Sequence, residues 1–152
     1  MKSDHVLCLS SKGFHRMHYV EWGAPDAERL AICVHGLARN CRDFDFLAQA
    51  LLPEFRVICP DVAGRGRSDW LPAKEDYAYP QYCADLTALI ARVTAGGGQR
   101  KVHWVGTSMG GILGIPAAGA RSVFVPLFDP ATVVDLIESH GVTMTVMVPT
   151  MI

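Results

Sequence analysis

The chain has 152 residues, half of them hydrophobic, and a net charge of −1 at pH 7. That length sustains one domain with a real core, and the composition excludes a disordered chain. With no basic block and no apolar run near the roughly 20 residues of a spanning helix, neither nucleic acid nor a membrane is an expected partner. Residues 5–9 and 17–22 alternate apolar and polar around Ser10-Ser11-Lys12-Gly13, which predicts an antiparallel hairpin. Residues 30–34 form an apolar run that His35-Gly36 ends. Residues 43–52 carry Phe44, Leu47, Ala48 and Leu51 at helical spacing, with Asp43 as a cap. Residues 55–59 read as a buried strand, followed by Pro60-Asp61 and the loop Gly64-Arg65-Gly66-Arg67-Ser68. Residues 79–93 read as a helix with Tyr82, Leu86, Leu89, Ile90 and Val93 on one side, and Gly96-Gly97-Gly98 breaks it.

The stretch KVHWVGTSMGGILG, residues 101–114, organises the rest. It reads as a buried strand over 102–105, a serine between glycines, and a helix start. Gly106-Thr107-Ser108-Met109-Gly110 is a G-x-S-x-G pattern, in which the serine sits on a sharp strand-to-helix turn. The turn lifts the hydroxyl clear of the sheet, beside the free N–H groups of a helix N-terminus. After Ala120 a further strand (122–128), a helix opened by Asp129-Pro130 and closed by Gly141, and a last strand (142–148) are expected. The alternation of strands and helices predicts an α/β fold over residues 1–152 as a single domain. It is a three-layer sandwich with a mostly parallel sheet and an antiparallel N-terminal hairpin.

Three motifs in order resemble the amino-terminal half of an α/β-hydrolase over residues 1–116. They are His35-Gly36 after the third strand, Asp61 with the Gly64/Gly66/Ser68 loop after the fourth, and Gly106-x-Ser108-x-Gly110 after the fifth. The resemblance implies a serine that attacks the carbonyl of a small ester, with the oxyanion held by the backbone amides of Leu37 and Met109. Residues 119–152 instead resemble an internal stretch of an AMP-forming acyl-CoA synthetase, with the segment FDPATVVDLIE and a VPTM strand. The synthetase's nucleotide loop is absent, so none of its activity carries over. Two such pieces imply a chimera, natural or engineered, in which 117–152 adds one strand-helix-strand unit.

A serine nucleophile needs a base, usually oriented by a carboxylate. In this family the order is serine, acid, histidine. Asp129 is the candidate acid, and it also reads as the cap of the helix beginning at Pro130. His140, the one histidine after Ser108, is the candidate base. A helix of about ten residues would carry it roughly 15 Å from the active edge, so it also reads as a favourable helix C-terminal residue.

Among the remaining histidines, His35 is expected to be structural and His103 to lie at the far end of its strand. His5, His15 and His18 are expected to be solvated. Arg65 and Arg67 read as a solvated loop, or else as contacts for an anionic substrate; Phe44 reads as core, Phe46 and Trp70 as candidate acyl-pocket walls, and Cys41 as an inert thiol. Five cysteines without a C-x-x-C pair predict free thiols, and with no signal-peptide core the expected location is the cytoplasm. No metal or other cofactor is expected. The sequence thus supports a carboxylesterase-type serine hydrolase. The alternative is a catalytically silent chimeric scaffold. The apolar strand 142–148 predicts a homo-oligomer in either case.

Overall fold

The computed structural model describes residues 1–52, 54–95 and 101–119, together with residue 139. Gly96-Gly97-Gly98, Asp129, His140 and the expected strands 122–128 and 142–148 lie outside the described residues. Five strands form one sheet: β1 (Lys2–Ser10), β2 (Gly13–Trp22), β3 (Arg29–Val34), β4 (Phe55–Pro60) and β5 (Val102–Gly106), in the order β1-β2-β4-β3-β5. The hairpin is longer than the alternating pattern implied, and pairs in register from Lys2↔Glu21 to Ser10↔Gly13. β2 meets β4 antiparallel, while β3 runs parallel to both β4 and β5. The described sheet is therefore mixed, with its parallel half at β4-β3-β5. β3, between β4 and β5, carries one of the chain's apolar runs.

Alternation along the strands sorts side chains onto two faces. Leu30, Ile32 and Val34 join Val6, Met17, Tyr19, Ile58 and Trp104 in a core covered by two helices, α2 (Tyr79–Thr94) and α3 (Met109–Ala118). Ala31 and Cys33 face the other way, with Val20, Val57 and Cys59, under Ala48 of helix α1 (Asp45–Leu51) and Phe44 just before it. Helices thus cover both faces, as the three-layer expectation requires. α2 buries Tyr82, Leu86, Leu89 and Val93 as its spacing predicts, and also Asp85. Among the described residues no helix is long and apolar enough to cross a membrane.

The approach to α1 departs from expectation. A 3-10 turn over Cys41–Phe44 precedes it, and its cap is Asn40, whose side-chain oxygen accepts from the Arg42 amide at 2.9 Å. Asp43 is occupied elsewhere, accepting two bonds from the Arg39 guanidinium at 2.8 and 2.9 Å.

Two histidines expected in solvent are buried. His15 and His18 retain 4% and 8% of their exposure, because α2 and the loop after β4 close over the hairpin. His15 Nε2 lies 2.9 Å from Asp85 Oδ2, and His18 Nδ1 lies 2.8 Å from Asp61 Oδ2. Arg65 is likewise not a free loop cation; it bonds the Leu37 and Ala63 carbonyls and the Tyr82 hydroxyl.

Asp61 ties these loops to the sheet. Its carboxylate accepts from the Cys41 amide at 2.7 Å, the Arg67 amide at 2.9 Å and the His18 ring. Ser68 donates to the Asp61 carbonyl at 2.6 Å and accepts from the His18 amide at 2.8 Å. Gly66, at φ +53°, passes so close that a Cβ there would strike the Asp61 carboxylate. Burial alone would raise the Asp61 pKa; the Arg67 and Cys41 amides and the His18 ring outweigh it and hold the carboxyl below its ordinary value. A depressed folded-state pKa contributes stability above the unfolded value, about 3.9, that is lost as pH falls through the folded value. Asp61→Asn replaces an acceptor by a donor facing donors, and should cost about 3 kcal/mol at pH 7. Urea unfolding of the two proteins should show that difference shrinking as the pH drops below about 4.

Candidate active site

The carboxyl ends of β3 and β5 come together with the start of α3. In open α/β sheets this edge is where sites form. Ser108 connects β5 to α3 at φ 52° and ψ −117°, and among the described residues it alone has a positive φ without being glycine. That backbone region costs a non-glycine residue of order 1–3 kcal/mol, so the surroundings must enforce it.

The enforcement is visible in the flanking glycines. A Cβ on Gly106 would run into the backbone of Gly110 and Gly111, and one on Gly110 would run into the Val34 carbonyl. The first turn of α3 therefore lies directly on the ends of β3 and β5. The Thr107 amide donates to Val34 O at 3.0 Å, and the Trp104 indole N–H donates to Gly110 O at 2.9 Å. The chain must reverse within Thr107 and Ser108, and the serine takes up the bend.

Ser108 is solvent-exposed, as is Thr107. The loop after β3 stands alongside, and a Cβ built on Gly36 would lie 3.7 Å from Ser108 Cβ and 3.5 Å from Thr107 O. The amides of Leu37 and Met109 make no hydrogen bond to another described residue. The Leu37 side chain is 61% exposed, whereas Met109 is buried in the core. An exposed hydroxyl thus stands at a helix N-terminus next to a loop with a free amide.

His35 is fully buried under this loop and both ring nitrogens are used. Nδ1 donates to Gly36 O at 2.7 Å, and Nε2 accepts from the Val62 amide at 2.9 Å. Accepting from an amide fixes Nε2 as the unprotonated nitrogen. Burial pushes the His35 pKa below its ordinary value, more strongly than the Gly36 bond raises it. The ring is neutral and structural, as expected. His103 stands near the amino end of β5, edge-on to Phe55 at 5.3 Å, and His5 is exposed. Among the described residues no imidazole is hydrogen-bonded to Ser108.

Two buried clusters, Cys8/His15/Asp85 and His18/Cys41/Asp61, hold donor atoms within 4.8 Å of one another. The second is closed by the hydrogen bonds to Asp61. In the first, burial and the neighbouring Asp85 push the Cys8 thiol up to about 12, which opposes the thiolate a metal would need. Burial and Asp61 push Cys41 up to about 12 as well, fitting an inert thiol. All five cysteines are free. Phe44 is core, while Phe46 and Trp70 are 87% and 77% exposed, and Trp70 lies 6.3 Å from the Tyr77 ring.

Sequence reasoning overlooked Asp85, Trp104 and the two buried histidines. Asp85 left one signal, since it falls on the apolar stripe of α2 and so demands a buried partner.

Comparison with known proteins adds the following. A family model described as the alpha/beta hydrolase fold matches residues 31–120. The 3-hydroxybutyrate-oligomer hydrolase of Cupriavidus necator is 53% identical over 114 residues, covering 75% of this chain and 38% of that protein. Lipase LipV of Mycobacterium tuberculosis is 30% identical over 122 residues, covering 78% of this chain and 43% of that protein. Among solved structures, an alpha/beta hydrolase from Novosphingobium aromaticivorans superposes with a TM-score of 0.64 at 36% identity, over 78% of this chain and 40% of the other. The chain thus spans less than half the length of these proteins. None of these similarities is to an acyl-CoA synthetase, so the expectation that residues 119–152 derive from one, and with it the chimera, gains no support.

Gly110→Ala tests the close approach at the bend. A methyl there must displace backbone rather than a side chain, so about 2–3 kcal/mol of stability should be lost. Thermal unfolding of the variant at the parent's own temperature would contradict this packing.

Proposed function

The chain belongs to the α/β-hydrolase family, and we propose that it hydrolyses esters with Ser108 as nucleophile. The observation that carries the proposal is Ser108 itself, an exposed hydroxyl held at positive φ beside the Gly36–Leu37 loop. In this reading Ser108 Oγ bonds to the ester carbonyl carbon as its proton passes to a base. The carbonyl π pair moves onto oxygen, and the Leu37 and Met109 amides donate to that oxyanion. Collapse expels the alcohol, which takes the proton, and leaves an acyl-serine that water cleaves by the same steps. Each amide that meets the charge only in the transition state is worth about 3 kcal/mol.

The peptide planes support the choice of donors. Gly36 O accepts from the His35 ring and from the Arg39 amide at 3.1 Å. A trans peptide directs its N–H opposite to its C=O, so those two bonds turn the Leu37 N–H away from the protein interior. By chain order we assign Asp129 as the acid and His140 as the base, the latter supplied by a second copy, because the expected helix carries the imidazole of the same chain away from the active edge. Similarity to the Cupriavidus 3-hydroxybutyrate-oligomer hydrolase supports short oligomers of 3-hydroxybutyrate, which are themselves esters, as the substrate class. Leu37 and Ile112, both exposed, offer apolar surface to the methyl-bearing units of such a chain.

The test compares the parent with Ser108→Ala on a short-chain aryl ester and on 3-hydroxybutyrate trimer, with fluorophosphonate labelling of both proteins. The parent should be labelled and the variant not, and the variant's rate should fall about a hundredfold or more. Equal rates, with no labelling of the parent, would instead mark a catalytically silent scaffold.

A further inference from the structure

We propose that Arg65 is a positioning residue for the oxyanion-binding amide of Leu37, a role that rests on the hydrolytic reading of Ser108. Leu37 cannot be held by its own packing, because its side chain is 61% exposed. Its position must come from hydrogen bonds to the two peptide groups that flank its Cα. The preceding peptide is pinned at Gly36 O by His35 and the Arg39 amide. The following peptide is pinned at Leu37 O, which accepts from Arg65 Nε at 3.0 Å. With both carbonyls fixed, rotation about the Leu37 φ and ψ bonds is blocked, and the N–H keeps one direction. Preorganisation of this kind matters for an oxyanion donor, because a donor that must reorient in the transition state gives back what it stabilises.

Arg65 is itself immobilised, which a pin requires. Its Nη1 donates to Ala63 O at 2.7 Å and to the Tyr82 hydroxyl at 2.9 Å. Its guanidinium lies over the Tyr82 ring at 5.1 Å and the Tyr77 ring at 5.9 Å. Tyr82 belongs to the buried face of α2, so the loop is referenced to the core through the arginine. The backbone of Arg65 is set by a turn, its amide donating to Val62 O at 2.9 Å after Gly64 at φ +76°. A backbone carbonyl on each side and a phenol are reached by one planar fork. Lysine, with its donors on a single nitrogen, cannot reproduce that geometry.

The experiment uses Arg65→Met, Arg65→Lys and the control Arg67→Met, which removes an equal charge from an exposed side chain of the same loop. The 15N order parameter of the Leu37 amide should fall from about 0.85 in the parent to below about 0.6 in both Arg65 variants. Their kcat on the aryl ester should fall at least about tenfold with KM nearly unchanged, the pattern of a transition-state contact. Arg67→Met should match the parent in both measurements. Where Arg65→Met fails to fold, Arg65→Lys, which keeps charge and stem, supplies the same two readings. An unchanged Leu37 order parameter in the Arg65 variants overturns the pin whatever the rates. A parent no faster than Ser108→Ala ends the hydrolytic reading instead, and the order parameter still decides whether Arg65 holds the loop.

Discussion

The close approach of a helix backbone to the ends of two strands is the constraint on which this architecture depends. Gly106 and Gly110 leave no room for a Cβ between β5, β3 and the first turn of α3. Once those backbones touch, the chain has two residues in which to turn, and Ser108 must accept φ 52°. The strain is sustained by bonds on either side, from the Thr107 amide to Val34 O and from the Trp104 indole to Gly110 O. Exposure of the hydroxyl follows from the geometry of the bend and requires no separate explanation. Of the first amides of the helix that begins there, those of Gly110, Gly111 and Ile112 close the turn on Thr107 and Ser108, and that of Met109 bonds no other described residue, which makes the same point of the fold attractive to negative charge.

A second layer of control lies beneath the first, in polar groups that sit where apolar ones would be expected. Asp61 gathers the turn before α1, the glycine loop and β2 into one hydrogen-bonded unit. His35 reaches from the end of β3 to the Val62 amide next door, so the loop after β3 and the loop after β4 share a buried ring. Arg65 then crosses back from the second loop to the first. Each of these groups is satisfied by its own hydrogen bonds, which is the condition under which buried polarity rigidifies rather than destabilises. The loop beside Ser108 is therefore set from below by an imidazole and from the side by a guanidinium.

How much of this the sequence discloses depends on the range of the interaction. Strands β3, β4 and β5 are legible because their apolar runs are local, and α2 because Tyr82, Leu86, Leu89 and Val93 repeat at helical spacing. The serine bend is legible because its glycines are adjacent to it. His15 and His18 are not, because each is paired with a carboxylate 70 or 43 residues away. Yet His15 occupies the same strand face as Met17 and Tyr19, and a period-two reading places it in the core. Arg65 shows the limit most plainly. Charge and a glycine-rich context argue for solvent, and only the approach of Leu37 O and Tyr82 reveals otherwise.

The hydrogen bonds of the histidines also constrain which of them could serve as base in the proposed reaction. His35 stands nearest in sequence to the oxyanion loop, but its Nε2 lone pair already serves the Val62 amide and its Nδ1 proton serves Gly36. Freeing Nδ1 would release the Gly36–Leu37 peptide, and freeing Nε2 would release the Val62 amide. The ring cannot keep these bonds and take up a proton as well, since protonation of Nε2 would set two donors, the ring and the Val62 amide, against each other. His18 is locked between Asp61 and Ser3, and His15 against Asp85. His15, His18 and His35 are thus all held in structural hydrogen bonds, and in the proposed reaction none of the three is available to take the serine proton.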